Sequence, residues 1–233
     1  MHHGQPFGLA ELAEYGISPA LAAKYAKNGW LERLEQGTYA YPNDTLQLDD
    51  CLLYLQKRSP GLHVGGKTAL SWQGIRHNVS SRSRIQLWGQ QRLKLPEWFT
   101  CASQRYHQRA LFDVDLLRPL LEDEGYAVMS DHAAGLCVSS PRTLLEVLNE
   151  VGVTQDLEEA THLFESFSSM RLEVVGTLLA ACTRIKTVRL FLQFAQQTNA
   201  VDAAALRERF NLKLGSNTRW TRRLRDGTRI TIK

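Results

Sequence analysis

The chain has few of the features that suit a membrane protein or a secreted scaffold. Although 43% of its 233 residues are hydrophobic, they form no run that approaches the roughly 18–20 apolar residues needed to span a bilayer. The N-terminal residues also lack the basic-then-apolar layout of a secretory signal peptide. No residue type is over-represented, which excludes collagen-like, coiled-coil and wholly disordered chains. We therefore expect a cytoplasmic protein of one or two folded domains that makes no contact with a membrane.

Cysteine is scarce, and the four cysteines lie far apart in the sequence. Disulfide scaffolds and zinc ribbons need close, repeated spacings, so we predict reduced thiols. The histidines show no spacing, to one another or to a cysteine, that is typical of a metal site. Beyond the N-terminal His2 and His3, these histidines are His63, His77, His107, His132 and His162. The sequence thus predicts no metal and no cofactor.

Neither positive nor negative charge is in large excess, but the charged residues are unevenly distributed along the chain. The formal net charge of the whole chain is +4. Residues 1–100 carry a net charge of +3, residues 101–206 carry −6, and residues 207–233 carry +7. Basic segments attract polyanions and acidic protein surfaces. The two basic ends therefore indicate either a polyanionic partner or solvated, solubilising termini.

The first 42 residues have a clear pattern of turns and amphipathic segments. Apolar spacing predicts a helix over residues 9–15 that stops at Gly16. Ser18 and Pro19 are a typical N-cap and first helical position, so a second helix is predicted over residues 20–28, before Gly29. Residues 31–34 and 38–41 read as two strands around a turn. Helix, turn, helix and hairpin are the parts of a winged helix-turn-helix.

Such modules place their second helix in the major groove of DNA, so its exposed face is the candidate interface. Leu21 and Tyr25 are four residues apart and are predicted to face inward. The outward face then combines a small residue for close approach, cations for phosphates and an amide for a base edge. The candidate DNA-binding residues are Ser18, Ala20, Lys24, Lys27 and Asn28, with Arg33 and Gln36 on the hairpin. The alternative is a protein-interaction module whose N-terminal domain dimerises or docks.

A helix normally precedes the two helices of such a module, and here only eight residues precede Leu9. Because that stretch contains Gly4, Pro6 and Gly8, it cannot form the missing helix. Either the helix predicted over residues 48–57 packs in its place, or the first helix is absent and the module is weakened.

The remainder of the chain predicts a larger mixed domain. We place the domain boundary in the cluster of turn residues after Tyr41, which gives a winged helix-turn-helix domain over residues 1–42 and a C-terminal domain over residues 43–233. Further helices are predicted over residues 68–73, 142–151, 157–170, 173–183 and 188–197, and strands over residues 84–88, 93–96, 126–129 and 228–232. The expected fold class is α+β.

Two motifs resemble enzyme signatures but lack their context. Residues 61–68 match the phosphate-binding pattern G-x-x-x-x-G-K-[ST], yet no buried strand leads into them. A nucleotide-dependent enzyme that uses Lys67 therefore remains only as a rival hypothesis. Ser130, Asp131 and His132 are sequence neighbours, whereas catalytic triads assemble across a fold. We predict no catalytic activity.

Stretches distributed over nearly the whole chain resemble the AbiEi-type antitoxins of type IV toxin–antitoxin systems. The N-terminal stretches are Gly16-Ile17-Ser18, Lys24-Tyr25, Gly29-Trp30-Leu31-Glu32-Arg33 and Gly37-Thr38-Tyr39. The others are Val64-Gly65-Gly66-Lys67-Thr68-Ala69-Leu70, Leu95-Pro96-Glu97-Trp98-Phe99, Leu111-Phe112, Ser140-Pro141-Arg142-Thr143-Leu144-Leu145-Glu146 and Ile185-Lys186-Thr187-Val188-Arg189-Leu190-Phe191-Leu192.

The resemblance implies a repressor that binds double-stranded operator DNA of its own operon through a winged helix-turn-helix. It also implies a C-terminal domain that counters a nucleotidyltransferase-like toxin, without necessarily forming a stable complex. The oligomeric state is left open.

The basic residues of the C-terminal domain are candidates for the antitoxic surface or for a second polyanion-binding face. Lys186 and Arg189 are three residues apart, so they share one face of a predicted helix. Trp220 lies among arginines, a mixture of aromatic and cationic residues that polyanion-binding proteins often use. The candidates are Arg184, Lys186, Arg189, Arg219, Arg222 and Arg223. Surface solvation is the alternative explanation for this cluster.

Overall fold

A computed structural model shows a mixed α+β protein. It describes residues 2–75, 84–100, 102–108, 110–113, 115–117, 140–216, 220–223, 227 and 229–232. Several positions discussed above lie outside these residues: His77, Cys101, the strand predicted over residues 126–129, Ser130, Asp131, His132, Cys137 and Arg219. Among the residues described, no helix has the length and apolar character that a membrane span requires.

The helices and strands follow one another in three groups along the chain. The strands are β1 (Phe7–Gly8), β2 (Glu32–Glu35), β3 (Thr38–Ala40), β4 (His63–Val64), β5 (Ile85–Gly89), β6 (Gln104–Gln108), β7 (Trp220–Arg223) and β8 (Arg229–Ile232). The helices are α1 (Leu9–Glu14), α2 (Pro19–Lys27), α3 (Leu48–Arg58), α4 (Gly66–Trp72), α5 (Ser140–Glu150), α6 (Leu157–Glu165), α7 (Leu172–Ala181), α8 (Ile185–Thr198) and α9 (Ala203–Arg209).

The N-terminal group consists of α1, α2 and an antiparallel sheet of order β1-β3-β2. Both predicted helices are present, with ends that differ by one residue: α1 ends at Glu14, and α2 runs from Pro19 to Lys27. Gly16 adopts a left-handed φ of 72° between the helices, and the Ser18 hydroxyl accepts a hydrogen bond from the Leu21 amide at 3.3 Å. The two helices and the sheet share a small core of Phe7, Leu12, Ala22, Leu31 and Tyr39.

Helix α3 joins this group to the rest of the chain. One side of the helix contacts the N-terminal group: the Tyr54 hydroxyl lies 2.9 Å from the Thr38 hydroxyl, and Arg58 pairs with Glu35. Lys57 adds an ion pair to Glu11 of α1 at 3.5 Å. The apolar residues of α3 pack instead into a second core. This core is formed by Cys51, Leu52, Leu55, Leu62, Val64, Ala69, Ile85, Leu87 and Phe99. Thus α3 contacts the N-terminal group through polar side chains, while its apolar face belongs to the second core.

The middle group is a sheet of order β4-β5-β6, in which β4 pairs antiparallel to β5 and β5 pairs parallel to β6. The strand predicted over residues 93–96 is wrong. Leu93 and Leu95 pack half-buried against the second core, but their backbone joins no sheet. Strand β6 was not predicted, because its sequence Gln-Arg-Tyr-His-Gln has no apolar alternation. Its position is set by pairing with β5.

Helices α5 to α9 form the third group around the largest core. Their buried residues include Leu144, Leu148, Phe164, Leu178 and Phe191. The helix predicted over residues 157–170 ends at Glu165, and α9 was not predicted. Strands β7 and β8 form an antiparallel hairpin near the C-terminus.

A buried carboxylate joins the middle group to the third. Glu146 of α5 accepts a hydrogen bond at Oε2 from the Gly66 amide at 3.1 Å, while its Oε1 lies 2.8 Å from His63 Nε2. The backbone of Gly65 is packed tightly here, since a Cβ on that residue would lie 2.2 Å from Glu146 Oε2 and 2.6 Å from the Trp88 ring. Only glycine fits at this position.

We therefore expect Gly65→Ala to destabilise the protein by about 3–5 kcal/mol, because it forces the buried Glu146 carboxylate away from its partners. Gly61→Ala, in the turn before β4, is the control. Its φ of +85° disfavours alanine, but no atom lies within 4 Å of the added carbon, so we expect a loss of only about 1–2 kcal/mol. Urea unfolding measures both changes, and equal losses would contradict the crowding argument.

Candidate nucleic-acid interface

Helix α2 presents a polar face to solvent. Ala20, Lys24, Lys27 and Asn28 are all exposed, as predicted, and so is the N-cap Ser18. The buried stripe differs slightly from the expectation. Ala22 is fully buried, and Tyr25 and Ala26 pack beside it, whereas Leu21 is half-buried and lies outside this core. Ala22 belongs to the core shared with Phe7, Leu12 and Tyr39, where a small side chain permits close packing of the helix.

The β2–β3 hairpin carries the other two candidate residues. Arg33 and Gln36 are both exposed. The ladder between the two strands is irregular between Arg33 and Glu35, and Gly37 forms the turn with a left-handed φ of 78°. The seven sequence-predicted DNA-binding residues are therefore solvent-accessible, on one short helix and the hairpin that follows it.

Lys24 and Lys27 lie in the last turn of α2. Cations at this end of a helix are favoured by the helix dipole whether or not a ligand binds. Within the described residues, neither ammonium group has an ion pair or side-chain hydrogen bond. Both cations are thus available to an external anion.

Two exposed aromatic residues accompany this face and were not among the predicted site residues. Tyr15 is 62% exposed at the end of α1, and Trp30 is 64% exposed after α2. The Trp30 ring lies 5.1 Å from the ring of Tyr25. The only feature of the sequence that could have pointed to Trp30 as a surface residue is its position directly after Gly29, where the helix ends.

The hairpin is braced by a charged contact with α3. Burial acts to raise the pKa of Glu35, but the hydrogen bond and charge of Arg58 outweigh it and hold that pKa below its ordinary value. The pKa of Arg58 is raised in turn, chiefly by its hydrogen bond to Glu35. Arg58 also donates to the Thr38 hydroxyl at 3.1 Å and lies over the Tyr54 ring. These contacts fix the hairpin relative to α3.

The glycine-rich segment that matches a phosphate-binding loop is folded around the protein's own groups. Its Gly66 amide donates to the Glu146 carboxylate, which lies where a phosphate oxygen would bind. Lys67 Nζ pairs with Glu159 at 2.8 Å, and the Thr68 hydroxyl accepts from the Gln86 amide at 3.0 Å. These contacts argue against the rival hypothesis of a nucleotide-dependent enzyme. Across the part of the chain described, no three potential ligand residues are grouped as a metal site.

Two of the predicted C-terminal basic residues make internal contacts. Lys186 Nζ donates to the carbonyl oxygens of Asn149 and Val151, at 2.6 and 3.0 Å, where α5 ends. Arg189 Nε donates to the Leu214 carbonyl at 2.7 Å, and its terminal nitrogen donates to Ser216. The two residues share a helix face, as expected, but that face holds other backbone segments in place.

The remaining predicted basic residues are differently placed. Arg184 is exposed at the N-cap of α8. Arg222 and Arg223 lie on β7, in register with Ile230 and Arg229 of β8. Arg219 lies outside the described residues. The six residues therefore do not form one uniform face of free cations.

Comparison with known proteins gives matches over the whole chain. Residues 82–233 match a family model described as "Transcriptional regulator, AbiEi antitoxin, Type IV TA system". Residues 1–81 match a model described as "Transcriptional regulator, AbiEi antitoxin N-terminal domain". No curated protein matches the chain.

A solved structure shares the fold at low sequence identity. It is the crystal structure of the RV2827C protein from Mycobacterium tuberculosis, which is 15% identical. The alignment covers 90% of this chain and 78% of that protein, with a TM-score of 0.53. At this identity the similarity concerns the fold alone.

The contacts of Lys186 predict a structural role. Lys186→Met keeps the aliphatic stem but leaves the Asn149 and Val151 carbonyls without their charged donor, so we expect a loss of about 1.5–3 kcal/mol in the free energy of unfolding. Arg184→Met, at a neighbouring exposed position, is the matched control and should change stability by about 0.5 kcal/mol or less. Equal shifts of the urea midpoint in the two variants would refute this role.

Proposed function

The chain belongs to the AbiEi family of transcriptional regulators and antitoxins of type IV toxin–antitoxin systems, and from this membership we propose that it represses its own operon through an N-terminal winged helix-turn-helix. The observation that carries the proposal is the exposed, cationic face of α2 next to the β2–β3 hairpin. In this assignment α2 is the recognition helix, α1 crosses the DNA backbone and the hairpin is the wing.

The side chains of the α2 face suit the chemistry of a DNA groove. Ala20 offers little bulk, so the helix can approach the base edges closely. Lys24 and Lys27 are long, unpaired cations for phosphates, and the Asn28 amide can both donate to and accept from a base edge. Arg33 and Gln36 extend the contact surface along the wing. Phosphate contacts supply affinity, while Asn28 is the residue suited to sequence readout.

We further propose that helix α3 is part of the DNA-binding module. It contacts α1 through Lys57 and the wing through Tyr54 and Arg58. In this proposal the third helix of the module follows the wing in the chain, and the module includes residues beyond the boundary predicted at residue 42.

The antitoxic activity is proposed to counter a nucleotidyltransferase-like toxin, with or without a stable complex. Family membership supports an antitoxin role, and the resemblance of the sequence supports this class of toxin. Among the basic candidates, the exposed Arg184 is better suited to this surface than Lys186 and Arg189, which donate to internal carbonyl oxygens. Variants at the latter two would confuse loss of antitoxicity with loss of stability.

The exposed rings of Tyr15 and Trp30 favour the alternative, in which the N-terminal module docks to a protein. The two functions differ in their response to salt. Binding to DNA through several phosphates weakens steeply as salt increases. Docking through aromatic rings depends on apolar burial, which salt does not weaken in this way.

We expect Lys24→Ala combined with Lys27→Ala to abolish the mobility shift of the upstream DNA. Where residual binding is measurable, the slope of log affinity against log salt should fall in magnitude by about 2, because each phosphate contact contributes roughly 0.9. Lys94→Ala with Lys213→Ala is the control, since it removes the same charge from exposed positions outside α2. If the α2 variant retained full binding, or if the control lost as much, α2 would not be the recognition helix.

The same variant separates repression from antitoxicity. Expressed from an unrelated promoter with a nucleotidyltransferase toxin encoded beside its gene, the Lys24→Ala, Lys27→Ala protein should still restore growth, because its C-terminal domain is unchanged. Growth on induction measures the result, with the unsubstituted protein as reference. Loss of rescue by a folded variant would instead place toxin neutralisation on α2, and an adjacent gene of another class would contradict the proposed toxin.

A further inference from the structure

A cavity of about 150 Å³ lies between the middle sheet and α5, away from the exposed face of α2. Its polar lining includes Arg142 and Glu146 of α5 together with His63 of β4. Its apolar lining includes Trp88, Phe112 and Leu117. Neither the proposed DNA contacts nor the proposed antitoxic residues account for this site.

The negative charge of Glu146 is already neutralised inside the protein. His63 Nδ1 lies 2.9 Å from the Gly61 carbonyl oxygen, which can only accept, so Nδ1 carries a proton. His63 Nε2 lies 2.8 Å from Glu146 Oε1, and this contact also requires a proton between the two atoms. The His63–Glu146 pair therefore has no net charge, whichever of the two residues holds that proton.

Among the residues described, Arg142 is consequently left without a full counter-charge, although its side chain is only 17% exposed. Its Nε lies 3.7 Å from Glu146 Oε1, beyond hydrogen-bond distance. That nitrogen is buried and has no hydrogen-bond partner among the residues described. Burial lowers the pKa of Arg142, and the charge of Glu146 only partly opposes this. A guanidinium whose buried Nε has no acceptor among the described residues favours an occupant that brings acceptors and a negative charge.

The shape of the cavity restricts that occupant. The guanidinium carbon of Arg142 lies 5.3 Å from the centre of the Phe112 ring, so the cation is held beside an aromatic wall. Leu111 and Leu117 contribute further apolar surface. Dry apolar cavities of roughly 150 Å³ hold a benzene ring. A flat apolar body with one carboxylate would fill the apolar part and reach Arg142.

We propose that this cavity is a binding site for a small aromatic carboxylate, whose two oxygens accept from the Arg142 guanidinium while its ring packs against Phe112 and Leu117. The planar fork of arginine matches a carboxylate bidentately, which an ammonium cannot do. Binding at this site does not rest on the proposed DNA contacts, because none of its lining residues lies in the N-terminal group.

The test uses benzoate as the probe and the full chain as the protein. Benzamide has nearly the same shape without the charge, and sodium chloride at equal ionic strength controls for salt. We expect benzoate to raise the melting temperature in proportion to the logarithm of its concentration, and to give a saturable heat in calorimetry. Benzamide and sodium chloride should do neither. This comparison needs no variant, so it does not depend on whether any substitution folds.

Arg142→Lys provides the second arm, since it keeps the positive charge but removes the planar fork. We expect benzoate to bind this variant about tenfold more weakly, which is the effect of losing a charge-assisted pair. Absence of benzoate binding to the unsubstituted protein would overturn the proposal. So would equal binding of benzamide, or an unchanged affinity in a folded Arg142→Lys variant.

Discussion

The structure depends on the hydrogen bonds that one buried carboxylate makes. Glu146 projects from α5 into the glycine-rich turn of the middle sheet, where the His63 ring and the Gly66 amide surround it. An ionisable group at this depth is costly unless each oxygen has a partner. Because those partners lie about eighty residues earlier in the chain, the contact fixes the middle sheet against the helical group. It also explains the absence of a side chain at Gly65, and it occupies the Gly66 amide that a phosphate-binding loop would use.

The N-terminal group obtains its support from outside its own short sequence. Its core contains only a few large side chains, so a stable orientation requires further contacts. Helix α3 supplies them through Tyr54, Lys57 and Arg58 on one side, while its apolar residues belong to the next core. In a DNA-binding role this arrangement would hold the wing and the recognition helix in a fixed relation to the C-terminal domain, in keeping with a regulator whose two activities reside in one chain.

Local features could be predicted well, and pairings between distant segments could not. Ser18, Pro19 and the glycines on either side determine α2 through contacts within a few residues, so its limits and its exposed lysines followed from the sequence. Strand β6 escaped prediction because its sequence is polar and only the neighbouring β5 makes it a strand. The prediction for residues 93–96 was wrong for the opposite reason. Their apolar spacing is typical of a strand, but Leu93 and Leu95 pack against the second core without joining a sheet.

The same distinction applies to function. The sequence by itself determined that a short capped helix would present lysines to solvent, because capping and helical periodicity act over one or two turns. Only the tertiary structure decided which other cations are free. Lys186 and Arg189 look equally available in sequence, yet each meets the carbonyl oxygens of a segment far away in the chain. Hydrogen-bond partners of this kind are set by how helices pack, and helix packing depends on the whole core.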